Sequence, residues 1–259
     1  MAILLTEQKG SAVVMTLNRP DALNALSSNL AKELKKTILS IADRADIRTI
    51  VITGGGGKAF CAGIDLKERR ELSADGKWTQ SRTLWELLQV IRESPKAVIA
   101  AIDGWALGGG FELALACDLR VGSEEAHFGW PEMTLGAYPG AGAAVMLPRL
   151  IGPARAKELF FTARRRINSE QALAFGVLQK VVQRDDLLGA ALAYANDIES
   201  TSPLGLAALK QSINLGADLP WDEAVELDQR LRRPLEGTRD YEEGISAHFE
   251  KRKPIFIGQ

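Results

Sequence analysis

Two glutamates stand where a carboxyl could do chemistry. Glu112 lies in ALGGGFELALACD, residues 106–118, directly after three glycines and among Phe111, Leu113, Ala114, Leu115 and Ala116. A helix of that composition is largely buried, and a buried carboxyl without a partner has a raised pKa. Such a group can trade protons at working pH as a general acid or base. Taken alone, a buried glutamate is somewhat more often paired with an arginine or reaching solvent. Glu132 follows an aromatic, proline-bounded stretch in FGWPEMTLG, where a lone glutamate is more often an exposed loop residue. Two such acids, each beside a glycine-rich segment, form a stronger constellation: paired carboxyls for acid and base work across one bond. Glycosidases also pair carboxyls, but their grooves are lined with aromatic and polar groups. Here aromatic residues make up 6% of the chain, and the surroundings are apolar.

The glycines have a chemical reading of their own. A run such as Gly108–Gly109–Gly110 before a helix presents unpaired N–H donors at the positive end of the helix dipole. Such donors bind phosphate or stabilise a developing oxyanion. Glycines also let a strand and a helix approach closely, and by itself the run favours neither reading. GGGGK, residues 54–58, lacks the Gly-Lys-Ser/Thr ending of a phosphate loop. ALGGG lacks the spacing of a dinucleotide fingerprint.

Buried strands must carry these loops. IRTIVIT (Ile47–Thr53) and KAVIAAID (Lys96–Asp103) are short apolar runs rich in β-branched residues, each followed by glycines. This pattern of strand, glycine loop and helix occurs twice, near residues 47–70 and 96–118. SAVVMTLN alternates, with Val13, Met15 and Leu17 on one strand face. Leu30, Leu34, Ile38 and Ile41 predict a helix that Ser28 caps. A charged helical stretch is predicted from Lys67 to about Glu93. CDLRVGS reads as a further strand and VLQKVV as one more. Pro153 suits a first helical turn, Asn168 or Ser169 a cap, and Gly176 a helix end. Helical patterns then cover residues 186–198, 204–215, 221–231 and 241–251. The organisation is an α/β body with a helical tail, divided here as 1–195 and 196–259, with no linker or long repeat.

The totals exclude several classes. A net charge of −1 gives no global basic field for nucleic acid or an anionic membrane. No apolar stretch reaches membrane-spanning length. MAILLTEQKG lacks a charged segment followed by a long apolar one, so no secretory leader is expected. Two cysteines, Cys61 and Cys117, build no disulfide framework and suit a reducing cytoplasm. Two histidines, His127 and His248, leave no His-rich metal site and few bases for a Ser-His-Asp triad. Cys61, with no histidine near in sequence, reads as a small buried residue rather than a nucleophile. His127 reads as a packing neighbour. Trp85 and Trp130 could line an apolar pocket, although tryptophans are more often core. The run Arg164–Arg166 most often marks a solvated face and could also meet phosphates.

These segments together resemble the crotonase superfamily, the enoyl-CoA hydratase/isomerase family. LNRPDALNAL is similar to its N-terminal signature and GKAFCAGIDLKE to its first oxyanion-loop motif. KAVIAAIDGWALGGGFELALACDLRV, FGWPEMTLGAYPGAG and EKRKPIF resemble its central, following and C-terminal segments. The resemblance covers nearly the whole chain. It implies an α/β fold, a spiral of ββα units with a helical C-terminal region used in trimerisation, as a homotrimer or dimer of trimers. It implies an acyl-CoA thioester substrate, with CoA entering as part of that substrate and no metal or other cofactor.

By motif position, the family's oxyanion donors fall on the N–H groups of Ile64 and Gly109. Glu112 then activates water for attack at the β-carbon, and Glu132 delivers a proton to the α-carbon. Relatives that only isomerise a double bond, or that cleave other bonds, commonly replace one of these acids. Keeping both favours a hydratase over an isomerase or another crotonase-type lyase or hydrolase. CoA and substrate contacts carry over to Ala22, Ala62, Gly63, Ile64, Asp65, Leu66, Lys67, Gly108, Trp130, Gly140 and Lys251. Three positions depart from the family pattern. Trp130 replaces a polar residue, often glutamine, that stands beside the second acid. Asp21 replaces a common lysine, and GAAVMLPRL replaces the usual GGTQRLPRL. These departures point to a specialised acyl group or to a different outcome from the same enolate chemistry.

Overall fold

A computed structural model describes residues 2–163 and 166–259. The first half comprises β1 (Leu4–Lys9), β2 (Ala12–Leu17), α1 (Ser28–Ser40), β3 (Thr49–Gly54), β4 (Ala59–Cys61), α2 (Leu66–Arg70), α3 (Ala74–Glu93), β5 (Ala97–Ile102), β6 (Trp105–Leu107), α4 (Gly109–Ala116), β7 (Leu119–Ser123) and β8 (His127–Gly129). Then follow α5 (Ala143–Ile151), α6 (Pro153–Thr162), β9 (Ile167–Asn168), α7 (Ser169–Ala174), β10 (Lys180–Val182), α8 (Leu187–Glu199), α9 (Pro203–Gly216), α10 (Trp221–Arg232) and α11 (Arg239–Glu250).

Two sheets stack through these elements. The larger has the order β1-β2-β3-β5-β7-β10 and the smaller β4-β6-β8-β9. Strands β3, β5 and β7 run parallel in the first, and β4, β6 and β8 run parallel in the second. Each turn of the chain therefore lays one strand in the large sheet, one in the small sheet, and returns through helix. That is a spiral of ββα units.

The apolar runs of β3 and β5 are continuous because both faces are covered. Ile50, Ile52, Val98, Ala100 and Ile102 enter the core between the sheets and the inner helices. Val51, Ile99 and Ala101 enter a second core with Leu187, Ala190 and Ala191 of α8. The alternation read in β2 holds: Val13, Met15 and Leu17 face the first core and Val14 the second.

Three local expectations change. Ser27, not Ser28, caps α1, its side chain accepting from Leu30 N at 3.2 Å. The stretch 67–93 is two helices, because Ser73 starts a new one by accepting from Gly76 N at 3.2 Å. The glycine loops contain β4, β6 and β8, three residues each. So short a strand has no readable period, and only its neighbours in the sheet define it. The tail helices appear within about two residues of the sequence reading. Helix α8 runs unbroken through Glu199 on the large sheet, so a division at residue 195 cuts it. Ser200–Ser202 is the natural joint.

Helix α9 is bolted to the body by a buried ion pair. Lys210 Nζ donates to Asp118 Oδ2 at 2.8 Å and to the carbonyls of Ile91 (2.9 Å) and Lys96 (3.1 Å). Asp118 also accepts from Val98 N at 2.7 Å. Removing one partner strands the other charge in low dielectric, which costs about 3–5 kcal/mol. Lys210→Met is expected to lose about that much, read as a lower urea midpoint. Adding Asp118→Asn to it should restore part of the loss.

Candidate active site

Three loops leave the small sheet at the same end, because β4, β6 and β8 are adjacent and parallel, in registers such as Cys61 opposite Ala106 and Leu107 opposite Gly129. Ile64 follows β4, Gly108 and Gly109 follow β6, and Glu132 follows β8. Ligands in parallel sheets bind beyond such carboxyl ends. Here the sheet register brings residues 64, 109 and 132 together at one end of the small sheet.

The two amides are neighbours. A Cβ placed on Gly109 would lie 3.4 Å from Ile64 N, and one on Gly63 would lie 3.3 Å from Gly109 N. Gly109 is the first residue of α4, so its N–H has no intrahelical acceptor. Ile64 forms an isolated parallel bridge with Leu26. That bridge uses Leu26 N to Gly63 O (2.7 Å) and Asp65 N to Leu26 O (3.0 Å), leaving the Ile64 N–H outside it.

The glycine run serves different ends at successive positions. Gly108 has φ +49°, and a Cβ there would overlap the Glu132 carboxylate. A Cβ on Gly110 would overlap the Cys61 carbonyl of β4, so that residue lets helix and sheet touch. Gly109 between them contributes its amide.

Glu112 is buried in the first turn of α4. Its Oε1 accepts N–H bonds from Ala141 (2.8 Å) and Ala143 (3.1 Å) in the PGAGAA turn. Burial nevertheless pushes its pKa up to about 7, those two bonds opposing and the Glu132 charge adding. Glu132 is half-buried at the start of a short 3₁₀ turn, Pro131–Leu135. Burial raises its pKa as well, against the nearby amides of Glu132 itself and Gly109. Its Oε2 is buried with no hydrogen-bond partner. One acid is therefore anchored and the other keeps a free oxygen over the glycine turn. Such a pair can take a proton on one side of a bond and give one on the other.

The raised pKa of Glu112 has a stability cost. The folded chain holds this proton more tightly than the unfolded one, so the stabilising contribution is full below the ordinary value of 4.5 and is lost as pH rises through about 7. At 1.36 kcal/mol per unit the loss is about 3 kcal/mol. Glutamine keeps an acceptor for the Ala141 and Ala143 amides and does not titrate. Glu112→Gln is therefore expected to melt several degrees above the parent at pH 8, with the gap closing by pH 5, as followed by calorimetry.

The remaining residues singled out in the sequence fall in three groups. Ala22 lies in the turn Pro20–Ala22 beside the oxyanion loop, where Ala62 N donates to Leu23 O at 3.0 Å. Asp65 caps α2 through Lys67 N and Glu68 N and pairs with Arg19 at 2.8 Å, so its carboxylate is already engaged in holding the loop. Leu66 and Lys67 are exposed beside it, as is Gly140 beyond Glu132. Lys251 is exposed at the left-handed end of α11.

Trp130 corrects an expectation. Its ring does not line the cleft. It is fully buried, stacked on Phe111 (4.8 Å, 23°) and against Phe160 (5.0 Å). Its indole Nε1–H is buried there without a hydrogen-bond partner. Cys61 is buried, its thiol pushed up to about 12 by burial, so it is no nucleophile at neutral pH. His127 packs on Trp105 at 4.8 Å and donates from Nδ1 to the Glu125 carbonyl at 2.8 Å. Of the arginine run, Arg164 and Arg165 lie outside the described residues, and Arg166 stacks over Trp105 at 4.7 Å.

Sequence reading missed the groups that hold the site in place. Asn24, fully buried with φ +56°, donates to the carbonyls of Gly55 (2.9 Å) and Ala59 (2.7 Å) and accepts from Arg19 N (2.9 Å). Arg19 and the Ala141 and Ala143 amides were also unmarked. The polar residues in LNRPDALN were the available signal for Asn24 and Arg19.

Fold and site together define a class: a mixed α/β protein with the main-chain amides of residues 64 and 109 side by side and two carboxyls of raised pKa at positions 112 and 132. The enoyl-CoA hydratase/isomerase family profile matches residues 7–259. A short-chain-enoyl-CoA hydratase of Clostridium acetobutylicum is 37% identical over 253 residues, 96% of this chain and 95% of that protein. A crotonyl-CoA hydratase of Syntrophomonas wolfei is 36% identical over 99% of this chain and 98% of its own length. The crystal structure of enoyl-CoA hydratase from Bacillus anthracis superposes with a TM-score of 0.96 at 36% identity, covering all of both chains. This chain belongs to the enoyl-CoA hydratase/isomerase family.

Proposed function

We propose that this chain adds water across the 2,3 double bond of a 2-enoyl-CoA thioester. The observation that carries the reading is the pair of raised-pKa carboxyls at one end of the small sheet, beside the adjacent amides of residues 64 and 109. Ionised Glu112 takes a proton from water as the oxygen adds to the β-carbon. The electron pair moves onto the thioester oxygen, where the Ile64 and Gly109 N–H groups hold it as an enolate. Protonated Glu132 gives its proton to the α-carbon, and the carbonyl re-forms. Fixed donors of this kind contribute about 3–4 kcal/mol each to such a step. CoA is part of the substrate, and no step of this sequence uses a metal or another cofactor.

In this proposal the CoA moiety runs past the Ala22 turn and residues 62–66, with Lys67 and Lys251 near its phosphates and Gly140 bordering the reacting carbons. The residues up to the Ser200–Ser202 joint form the catalytic body, and the tail helices serve assembly as a trimer or dimer of trimers in the cytoplasm. Among the described residues no helix is long and apolar enough to cross a membrane. The test is incubation with short-chain, long-chain and aryl 2-enoyl-CoAs. Loss of the conjugated thioester absorbance with a mass gain of one water supports hydration, and a shifted double bond at unchanged mass refutes it.

A further inference from the structure

The amides of Gly109 and Ile64 are held in different ways. Gly109 is fixed by its own helix and sheet: Glu112 N donates to Gly108 O and Gly108 N to Gly129 O, both at 2.9 Å. The loop that carries Ile64 is held instead by a separate strap of chain, residues 19–28, lying alongside it. Ala62 N donates to Leu23 O (3.0 Å), Leu26 N to Gly63 O (2.7 Å) and Asp65 N to Leu26 O (3.0 Å). Ser28 N, at the start of α1, donates to Glu68 Oε2 of α2 at 2.8 Å. These bonds bracket residue 64 on both sides, and none of them uses its N–H.

One side chain ties the strap to the loop. Arg19 Nη2 donates to Asp65 Oδ2 at 2.8 Å, and Nη1 donates to the Ala25 carbonyl. Ala25 belongs to the strap and Asp65 to the loop, so the guanidinium spans the Leu26–Ile64 bridge. The pair is shielded, the Arg19 and Asp65 side chains being 22% and 10% exposed. Asp65 Oδ1 in turn caps α2 through Lys67 N (3.0 Å) and Glu68 N (3.2 Å). A planar guanidinium holds two acceptors in fixed geometry, which a flexible ammonium does not.

We infer that Arg19 is a positioning residue for the reaction, setting the direction of the Ile64 N–H by clamping the strap to the loop. The inference rests on the hydratase reading, in which the enolate oxygen develops between the amides of 64 and 109. Arg19 acts through the main chain and not as a group that touches the reacting atoms. An N–H···O bond weakens steeply as it is misaligned, and productive sites hold their groups within about 0.5 Å and 10–20°. Loss of the clamp therefore weakens one of two donors, while Gly109 keeps its place.

Arg19→Met removes both bonds. Its kcat for hydration should fall about 10- to 10²-fold, less than the loss of about 10²–10³ for a deleted donor. KM should stay within about threefold, because the donor acts on charge that develops after binding. Arg19→Lys keeps the charge and reaches Asp65 alone, so it should recover part of the rate, and it carries the same test if Arg19→Met does not fold. The readout that a purely structural role would not move is the ionisation of bound acetoacetyl-CoA, a 3-oxoacyl thioester with no double bond to hydrate. It loses an α-proton to give an enolate with its own ultraviolet absorbance, and aligned amides lower the pKa of that loss on the protein. Arg19→Met should raise the bound pKa by about 1–2 units, equivalent to the same 10- to 10²-fold. An unchanged bound pKa in a folded variant, or an unchanged kcat, overturns the inference. If the parent turns over no enoyl thioester and the Arg19 variants still shift the bound pKa, the hydratase reading fails and the clamp on the oxyanion donor stands.

Discussion

Glu112→Gln should lower the hydration of a 2-enoyl-CoA by about 10²–10⁴-fold, the range of a general base in proton transfer. The substitution preserves shape and keeps an acceptor for Ala141 and Ala143, which hold Oε1 at 2.8 and 3.1 Å. Geometry is thus retained while the proton acceptor is lost. The carboxyl is suited to the task because burial brings its pKa up to about 7, near working pH, where it is both available as a base and strong enough to act as one. The loss should appear in kcat, since the interaction is made as water attacks and not when substrate binds. Double-bond isomerisation needs one proton-transferring group and would largely survive if Glu132 alone carried it. Steady-state rates by thioester absorbance, with products weighed by mass spectrometry, separate the two. A variant within tenfold of the parent in hydration would remove Glu112 from the reaction.

Gly108→Ala should cost about 10²-fold or more in kcat with little change in the fold. The added Cβ would overlap the Glu132 carboxylate, and φ +49° strains any residue but glycine. Glu132 is the one group free to yield, being half-buried on a short 3₁₀ turn with an unpartnered Oε2. Displacing it removes the α-carbon's proton donor. A double-mutant cycle makes the argument specific. If Gly108→Ala acts through Glu132, it should add almost nothing in a Glu132→Ala background. Additive losses would mean that the turn itself, and not the acid it supports, sets the rate.

Parts of this molecule were legible residue by residue. The buried runs 47–53 and 96–103 announced β3 and β5 because strands covered on both faces are apolar throughout. The tail helices announced themselves through 3.6-residue spacing. The acids at 112 and 132 and the amides at 64 and 109 were assigned by motif. The second sheet was not legible: AFC, WAL and HFG are three residues each, and nothing local distinguishes them from loop. Trp130 read as a pocket residue because its sequence neighbours are site residues, yet its contacts are Phe111 and Phe160, 19 and 30 positions away. Asp65, assigned as a substrate contact by resemblance, also caps α2 and pairs with Arg19, a role that no local pattern announced.

The sequence alone determined the chemical inventory: two carboxyls, glycines that free a main-chain amide or admit a carboxylate, and the periodicities of the helices and long strands. These are local properties, written in single residues and their near neighbours. Only the tertiary structure set the amides of 64 and 109 side by side, and anchored Glu112 by a turn some thirty residues on. It alone seated Lys210 of α9 on Asp118. Those facts depend on the parallel register of β4, β6 and β8 and on which faces of the helices pack together. Such long-range pairings form because they bury apolar surface and satisfy main-chain groups collectively, so no single stretch of sequence carries them.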